Sequence, residues 1–457
     1  MTIHTLVGSS PRRLSRALGI VAVAAAFAGA VPGGCAGTNN GNGGAAGENG
    51  AAGGTGAGGD KTGAGGATGG TAGSGGSTPG TGGGSPPGTG GAATGSGGGV
   101  GAGGRSGTGG AGAGGAAATG GSSGGGTGGN GGNGGNGGST GGNGPEVWVS
   151  PTGSDTNAGT QAAPFLTIQH AQGAITAGGT IWLMAGTYQY DRTVNLSLAG
   201  SANNVTRLWA VPGGARPVLD FSQQARNVSS NRGFTVPGSY WHLKGFEVKN
   251  AGDNCINISG SNNTVEWVEA DGCDDTGIQI TASGSGTGSN NLILNCDAHD
   301  NFDTATGGEN ADGIDAKLNI GPGNILRGCR SWNNADDGYD LFGVTQVVTI
   351  DGCWAIANGQ TSTGMKGANS DGNGFKLGGN GVPAVHVVTR SFAVGNVKCG
   401  YTLNNNTATP DVSDSGALAN NPDTCSITIR NRVTITMTAA QAIAAQRDAN
   451  GNLPAVQ

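Results

Sequence analysis

The sequence predicts an all-β fold for residues 145–457: a right-handed parallel β-helix with an N-terminal cap, preceded by a disordered Gly-rich linker. Three observations carry this. A four-residue pattern, small then apolar, polar, apolar, recurs through the second half of the chain. A second kind of short apolar segment falls between its copies, with Asn and Gly at the junctions. Finally, 100 of the 457 residues are Gly, so the folding part must be far shorter than the chain.

From the N-terminus, residues 1–34 read as an export signal: Arg12, Arg13 and Arg16 precede an uncharged, small-apolar run over 17–31, too short to span a membrane comfortably. Cys35 follows Gly33-Gly34, where a bacterial lipoprotein carries its lipid-modified cysteine, although Pro32 stands where such signals favour an aliphatic residue. Cleavage near Ala28 to Ala30 with Cys35 incidental is the alternative. The expected location is extracellular, either free or as an outer-surface lipoprotein anchored to the membrane. Residues 36–144 are almost wholly Gly, Ala, Ser, Thr and Asn, and cannot bury enough apolar surface to offset the entropy of ordering. They are expected to form a flexible tether with a root-mean-square span on the order of 60 Å.

Of the chain's 22 basic and 28 acidic residues, five and two lie in 1–144, which leaves 17 and 26 in 145–457. So acidic a domain lacks the Lys and Arg patches that nucleic acid requires. A polyanionic partner would need a bridging cation.

The cap is expected from Val147-Trp148-Val149, then Pro164-Phe165-Leu166 leading into a short helix near Gln169 to Ile175, then Ile181-Trp182-Leu183. The repeat follows as Cys255-Ile256-Asn257-Ile258, Gly277-Ile278-Gln279-Ile280, Gly313-Ile314-Asp315-Ala316, Gly338-Tyr339-Asp340-Leu341, Gly374-Phe375-Lys376-Leu377 and Gly400-Tyr401-Thr402-Leu403. Its spacing fits coils of a β-helix with insertions near 301–310 and 361–370. Between them lie second strands over 264–268, 292–294, 325–327, 347–350 and 385–388. Their alternation implies columns of residues stacked from coil to coil, apolar inside, and excludes the three-and-four spacing of a helix. Cys273, Cys296, Cys329 and Cys353 are read as one column of buried free thiols in preference to disulfides between neighbouring rungs. A helix over 439–447 is expected to close the far mouth, and the scattered His170, His242, His299 and His386 are expected to be structural.

The densest acids lie on the repeat. Asp312 precedes one strand, Asp336 and Asp337 precede the next, and Asp340 points outward between inward Tyr339 and Leu341. Adjacent coils should therefore gather four carboxylates in one exposed patch, a hard oxygen donor set of the kind Ca2+ takes. An Asp-Asp-Gly alone is more often a polar turn; its repetition across two coils is what lifts it here. One coil on, Lys376 occupies the same outward slot as Asp340 and Asp315. A surface lysine is ordinarily just solvated, but one beside a cation has a lowered pKa and can act as a base.

The runs Asn310-Ala311-Asp312-Gly313 with Lys317-Leu318, Arg327-Gly328-Cys329-Arg330, Trp332-Asn333-Asn334-Ala335-Asp336-Asp337-Gly338-Tyr339-Asp340, and Gly372-Asn373-Gly374-Phe375-Lys376-Leu377-Gly378 resemble polysaccharide lyase family 9, over about residues 146 to 406. The resemblance implies that Asp312, Asp336, Asp337 and Asp340 bind Ca2+, that Lys376 is the Brønsted base, and that pectate (polygalacturonate), an acidic plant-type polysaccharide, is cleaved by β-elimination. Arg327, Arg330 and Lys317 are candidate substrate contacts, and a monomer is expected. The irregular stretch 407–423 departs from the Asn-rich coils usual in the family. Two rival readings are hydrolysis, for which the His-Gly and Arg-Ile-Lys of polygalacturonases are missing near Asp336-Asp337, and a non-catalytic glycan-binding surface protein, which leaves Lys376 unexplained. A lyase acting on another uronate glycan, such as rhamnogalacturonan, would use the same logic.

Overall fold

The computed structural model describes residues 144–456, so the expectations for the export signal, Cys35 and nearly all of the linker lie outside the described residues. Within them the chain winds as a parallel β-helix of three sheets, with nine, eleven and nine strands, every named pairing parallel. One full coil shows the plan: Ile256–Ile258 lies in the first sheet, Thr264–Glu266 in the second and Glu269–Asp271 in the third.

Two strands per coil are legible in the sequence; the third is not. Its inward position is often a single alanine, as at Ala270, Ala298, Ala355 and Ala393. Only two residues separate it from the second strand, so the two read as one segment. The interior is otherwise stacked aliphatic and aromatic side chains, including the parallel rings of Tyr339, Phe375 and Tyr401 at 4.8 Å centroid separations.

Asparagines close the corners. Asn301, Asn334, Asn358, Asn396 and Asn420 form a ladder in which each side-chain oxygen accepts the backbone N–H of the coil before it. Asn263, Asn291 and Asn324 do the same at another corner. Buried turn amides that cannot pair within a strand are satisfied in this way. Gly313 and Gly338 sit so near these ladders that a Cβ would come within 1.9 Å of Ser331 Oγ and 2.7 Å of Asn358 Nδ2 respectively, which explains the small residue opening the repeat.

The cysteine column is corrected in one position. Cys296, Cys329 and Cys353 are buried free thiols in one column, where the N–H of Cys296 and of Cys329 each donates to the sulfur of the following coil at 3.4 Å. Cys273 lies one corner further along, at the head of the first asparagine ladder, and is disulfide-bonded to Cys255. A second disulfide joins Cys399 to Cys425.

The short helix Ile168–Gly173 buries Ile168 and Ala171 at the entry of the coil stack, as expected of a cap, and Thr167 caps it by accepting from His170 N. The C-terminal helix is Ala439–Ala444 and does not close the far mouth. It lies sideways on the third sheet, where Ala442, Ile435 and Val456 pack on Trp332, Trp354, Ile356 and Val394.

Candidate active site

Every piece of the site hangs on the first sheet. In-register pairing of Asp315 with Asp340 and of Asp340 with Lys376 sets these three side chains in one outward column, one coil apart. Asp312 and Asp337 occupy equivalent turn positions just before Ile314–Ala316 and Tyr339–Asp340. Each turn carboxylate is anchored by the next coil. Asp312 Oδ1 accepts Asp337 N at 2.9 Å, and Asp337 Oδ1 accepts Asn373 N and Nδ2 at 2.6 and 2.9 Å. Neither Oδ2 takes part in these bonds, and the carboxylates of Asp312, Asp337 and Asp340 bring oxygens within 4.8 Å of one another.

These groups are not the exposed patch that alternation predicts. Asp312 and Asp337 are fully buried, Asp340 is 2% exposed and Lys376 8%. Lys376 Nζ lies 3.2 Å from both Asp337 Oδ2 and Asp340 Oδ2, with the Phe342 ring 5.7 Å away. Lys317, read as a substrate contact, is instead buried beneath the cluster, 2.8 Å from Asp312 Oδ2, 3.3 Å from Asp315 Oδ2 and 3.4 Å from Asp340 Oδ2. Asp336 stands beside the three carboxylates but accepts the backbone N–H groups of Asn310 and Asp371.

Five buried carboxylates, Asp312, Asp315, Asp336, Asp337 and Asp340, thus face two ammoniums. Burial and neighbouring carboxylates raise the pKa values of Asp337 and Asp340 and push Asp336 up to about 7; burial, only partly offset by Lys317, pushes Asp315 up to about 8. Burial by itself would lower the pKa of Lys376, but the surrounding carboxylates outweigh it and hold the lysine protonated. The lowered pKa expected beside a cation therefore requires the cation itself. Asp315 Oδ1 and Asp340 Oδ1 meet no donor, while Asp312 Oδ2 and Asp337 Oδ2 meet only lysine. Surplus negative charge, open carboxylate oxygens and an all-oxygen donor set fit a calcium ion.

Two arginines read as substrate contacts are each paired with a carboxylate of the protein. Arg330 is buried, pairs with Asp297 at 2.7 Å and donates to the carbonyls of Ile443 and Ala445, so it ties down the C-terminal segment. Arg327 sits on the second sheet, away from the sheet that carries Lys376, and pairs with Asp351 at 3.1 Å. Missed in the sequence were Asp315 and Asn373. Asp315 shares its slot with Asp340 and Lys376, and that shared slot was the available signal.

Residues 147–434 match the model of the Pel9A-like right-handed β-helix region. The chain belongs to the Pel9A-like right-handed β-helix family. Pectate lyase L of Paenibacillus polymyxa (strain SC2) is 43% identical over 275 residues, 58% of this chain and 61% of that protein. Pectate lyase L of Dickeya dadantii (strain 3937) is 37% identical over 270 residues, 57% of this chain and 61% of that protein. The chain therefore spans about three fifths of the length of these relatives. Among solved structures, the crystal structure of pectate lyase Pel9A superposes with a TM-score of 0.59 at 30% identity, covering 68% of this chain and 87% of that one. A rhamnogalacturonan lyase also gives 0.59, at 25% identity, over 68% and 95%. The Pel9A-like assignment agrees with the resemblance carried by the Asp and Lys motifs.

Proposed function

We propose that the protein is a polysaccharide lyase that cleaves pectate by calcium-dependent β-elimination, with Lys376 as the base. The observation that carries this is a lysine 3.2 Å from two carboxylates of a buried triad with open oxygens. The pectate lyases among its relatives favour polygalacturonate as substrate. The rhamnogalacturonan lyase of equal TM-score keeps a second uronate polymer in view.

Asp312, Asp337 and Asp340, with Asp336 beside them, would hold the ion. When bound, calcium supplies positive charge against the uronate carboxylate and acidifies the adjacent C5 proton. Lys376 Nζ takes that proton, the C5–H electron pair forms the 4,5 double bond as the C4–O bond breaks, and the released oxygen takes a proton from solvent. With Asp337 and Asp340 engaged elsewhere, the lysine loses the charges that hold its proton. Because an ordinary lysine gives up its proton only near pH 10.4, the rate rises from neutral to alkaline pH. Residues 1–34 are proposed to direct export, with Cys35 as the lipidation site if the protein stays on the outer surface.

The test is ultraviolet absorbance of the unsaturated product from polygalacturonate, with calcium and with chelator, for the full chain and Lys376→Met. The variant is expected to lose about 10²–10⁴ in kcat while still binding calcium. Undiminished turnover in Lys376→Met would remove the lysine from the mechanism. Product from rhamnogalacturonan alone would reassign the substrate.

A further inference from the structure

Lys317 and Asp315 lie inside the site, yet neither base nor ligand chemistry accounts for them. Asp315 is fully buried, and its Oδ2 is held by Thr276 Oγ1 at 2.8 Å and Gln279 Nε2 at 3.3 Å, with Lys317 Nζ also at 3.3 Å. Its Oδ1 meets no donor. It stands outside the triad of Asp312, Asp337 and Asp340, so it is not placed to share an ion with them. Lys317 Nζ, by contrast, sits on two of the three carboxylates that a cation would use.

We propose that Lys317 is a displaceable internal counter-ion of the cation site, and that Asp315 is the group that receives it when a divalent cation enters. The inference rests on the reading of the triad as a calcium site. An ammonium and a dication compete for Asp312 Oδ2 and Asp340 Oδ2, and in a buried, weakly polar setting their mutual repulsion is strong. Asp315 cannot swing toward the ion, because Thr276 and Gln279 anchor it. Lys317 can move, since its stem is flexible and its head already lies 3.3 Å from Oδ2 of Asp315, whose Oδ1 is open. In the cation-free protein the same lysine keeps Asp312 and Asp340 together. Both are positioning residues, because neither is placed to touch the reacting atoms.

The experiment is calorimetric titration of Ca2+ into the chelator-treated full chain, as wild type, Asp315→Asn, Lys317→Met and the double variant. Asp315→Asn is expected to weaken calcium binding about tenfold when Lys317 is present, and less than about threefold when it is Met. If Lys317→Met does not fold without the cation, Lys317→Gln, which keeps a donor without the charge, takes its place in the cycle. An equal loss in both backgrounds would mean that Asp315 acts on the ion directly, and no loss in either would mean that it plays no part; each outcome overturns the proposal. A wild type that binds no calcium sinks the cation site and this inference together, whereas calcium binding without coupling sinks only the inference.

Discussion

Arg330 shows how far a side chain's role depends on its neighbours. Within its motif it reads as a uronate contact, but its side chain is 10% exposed, and its guanidinium is paired with Asp297 and stacked 5.0 Å from the Trp332 ring. Arg447 joins the same carboxylate at 2.6 Å, so Asp297 links the third sheet to the C-terminal segment. Because Arg447 stays on Asp297, removing Arg330 costs chiefly its charge-assisted hydrogen bonds, roughly 1.5–3 kcal/mol. Arg330→Ala is therefore expected to lower stability by about that amount in urea unfolding, with KM unchanged. A raised KM at unchanged stability would return Arg330 to the substrate. Asp336 is the converse case: its motif reads as a ligand, while its oxygens accept two backbone amides.

At the level of the element, the corners decide whether coils stack. Asn334 donates to Ala298 O, Ser331 Oγ and Asn358 Oδ1, and accepts from both the N–H and the side chain of Asn301. Asn334→Ala would strand several of these groups at once, each at about 1–3 kcal/mol. A loss of at least 3 kcal/mol in equilibrium unfolding is expected, and a loss below 1 kcal/mol would show that water replaces the ladder. Asn334 lies two residues before Asp336 in the turn that leads to Asp337, so calcium affinity should fall with it. The asparagines are legible as turn punctuation, but their continuity as a ladder is not, because successive members are separated by 24 to 38 residues.

For the whole molecule, the buried carboxylates make stability depend on pH in an unusual sense. Asp336 and Asp315 stay protonated to about pH 7 and 8 in the folded, cation-free protein, while the unfolded chain loses those protons near pH 4. Between these values the folded state binds more protons, so stability falls as pH rises from about 4 to about 8. His299, held protonated to about pH 9 by Asp300 and Glu269 against the effect of burial, adds a decline of the same sign above about pH 6.5. In chelator, Tm is expected to drop between pH 5 and pH 8, and calcium at 100 times its Kd should restore about 2.7 kcal/mol at pH 8. A calcium effect equally large at pH 5, or none at either pH, would contradict the triad as its site.

The coil, its repeat and the slot shared by Asp340 and Lys376 were readable in sequence, because alternation and coil length act locally. Only the tertiary structure decided what those positions mean. It set the third strand, since one inward alanine leaves no periodic signal; the partner of Cys273, since corners shift the column; and the course of the C-terminal segment, since side-on packing has no local signature. It also decided that the acids are buried and that Lys317 lies beneath them, since burial depends on which coils and loops cover a residue, and those are distant in the chain.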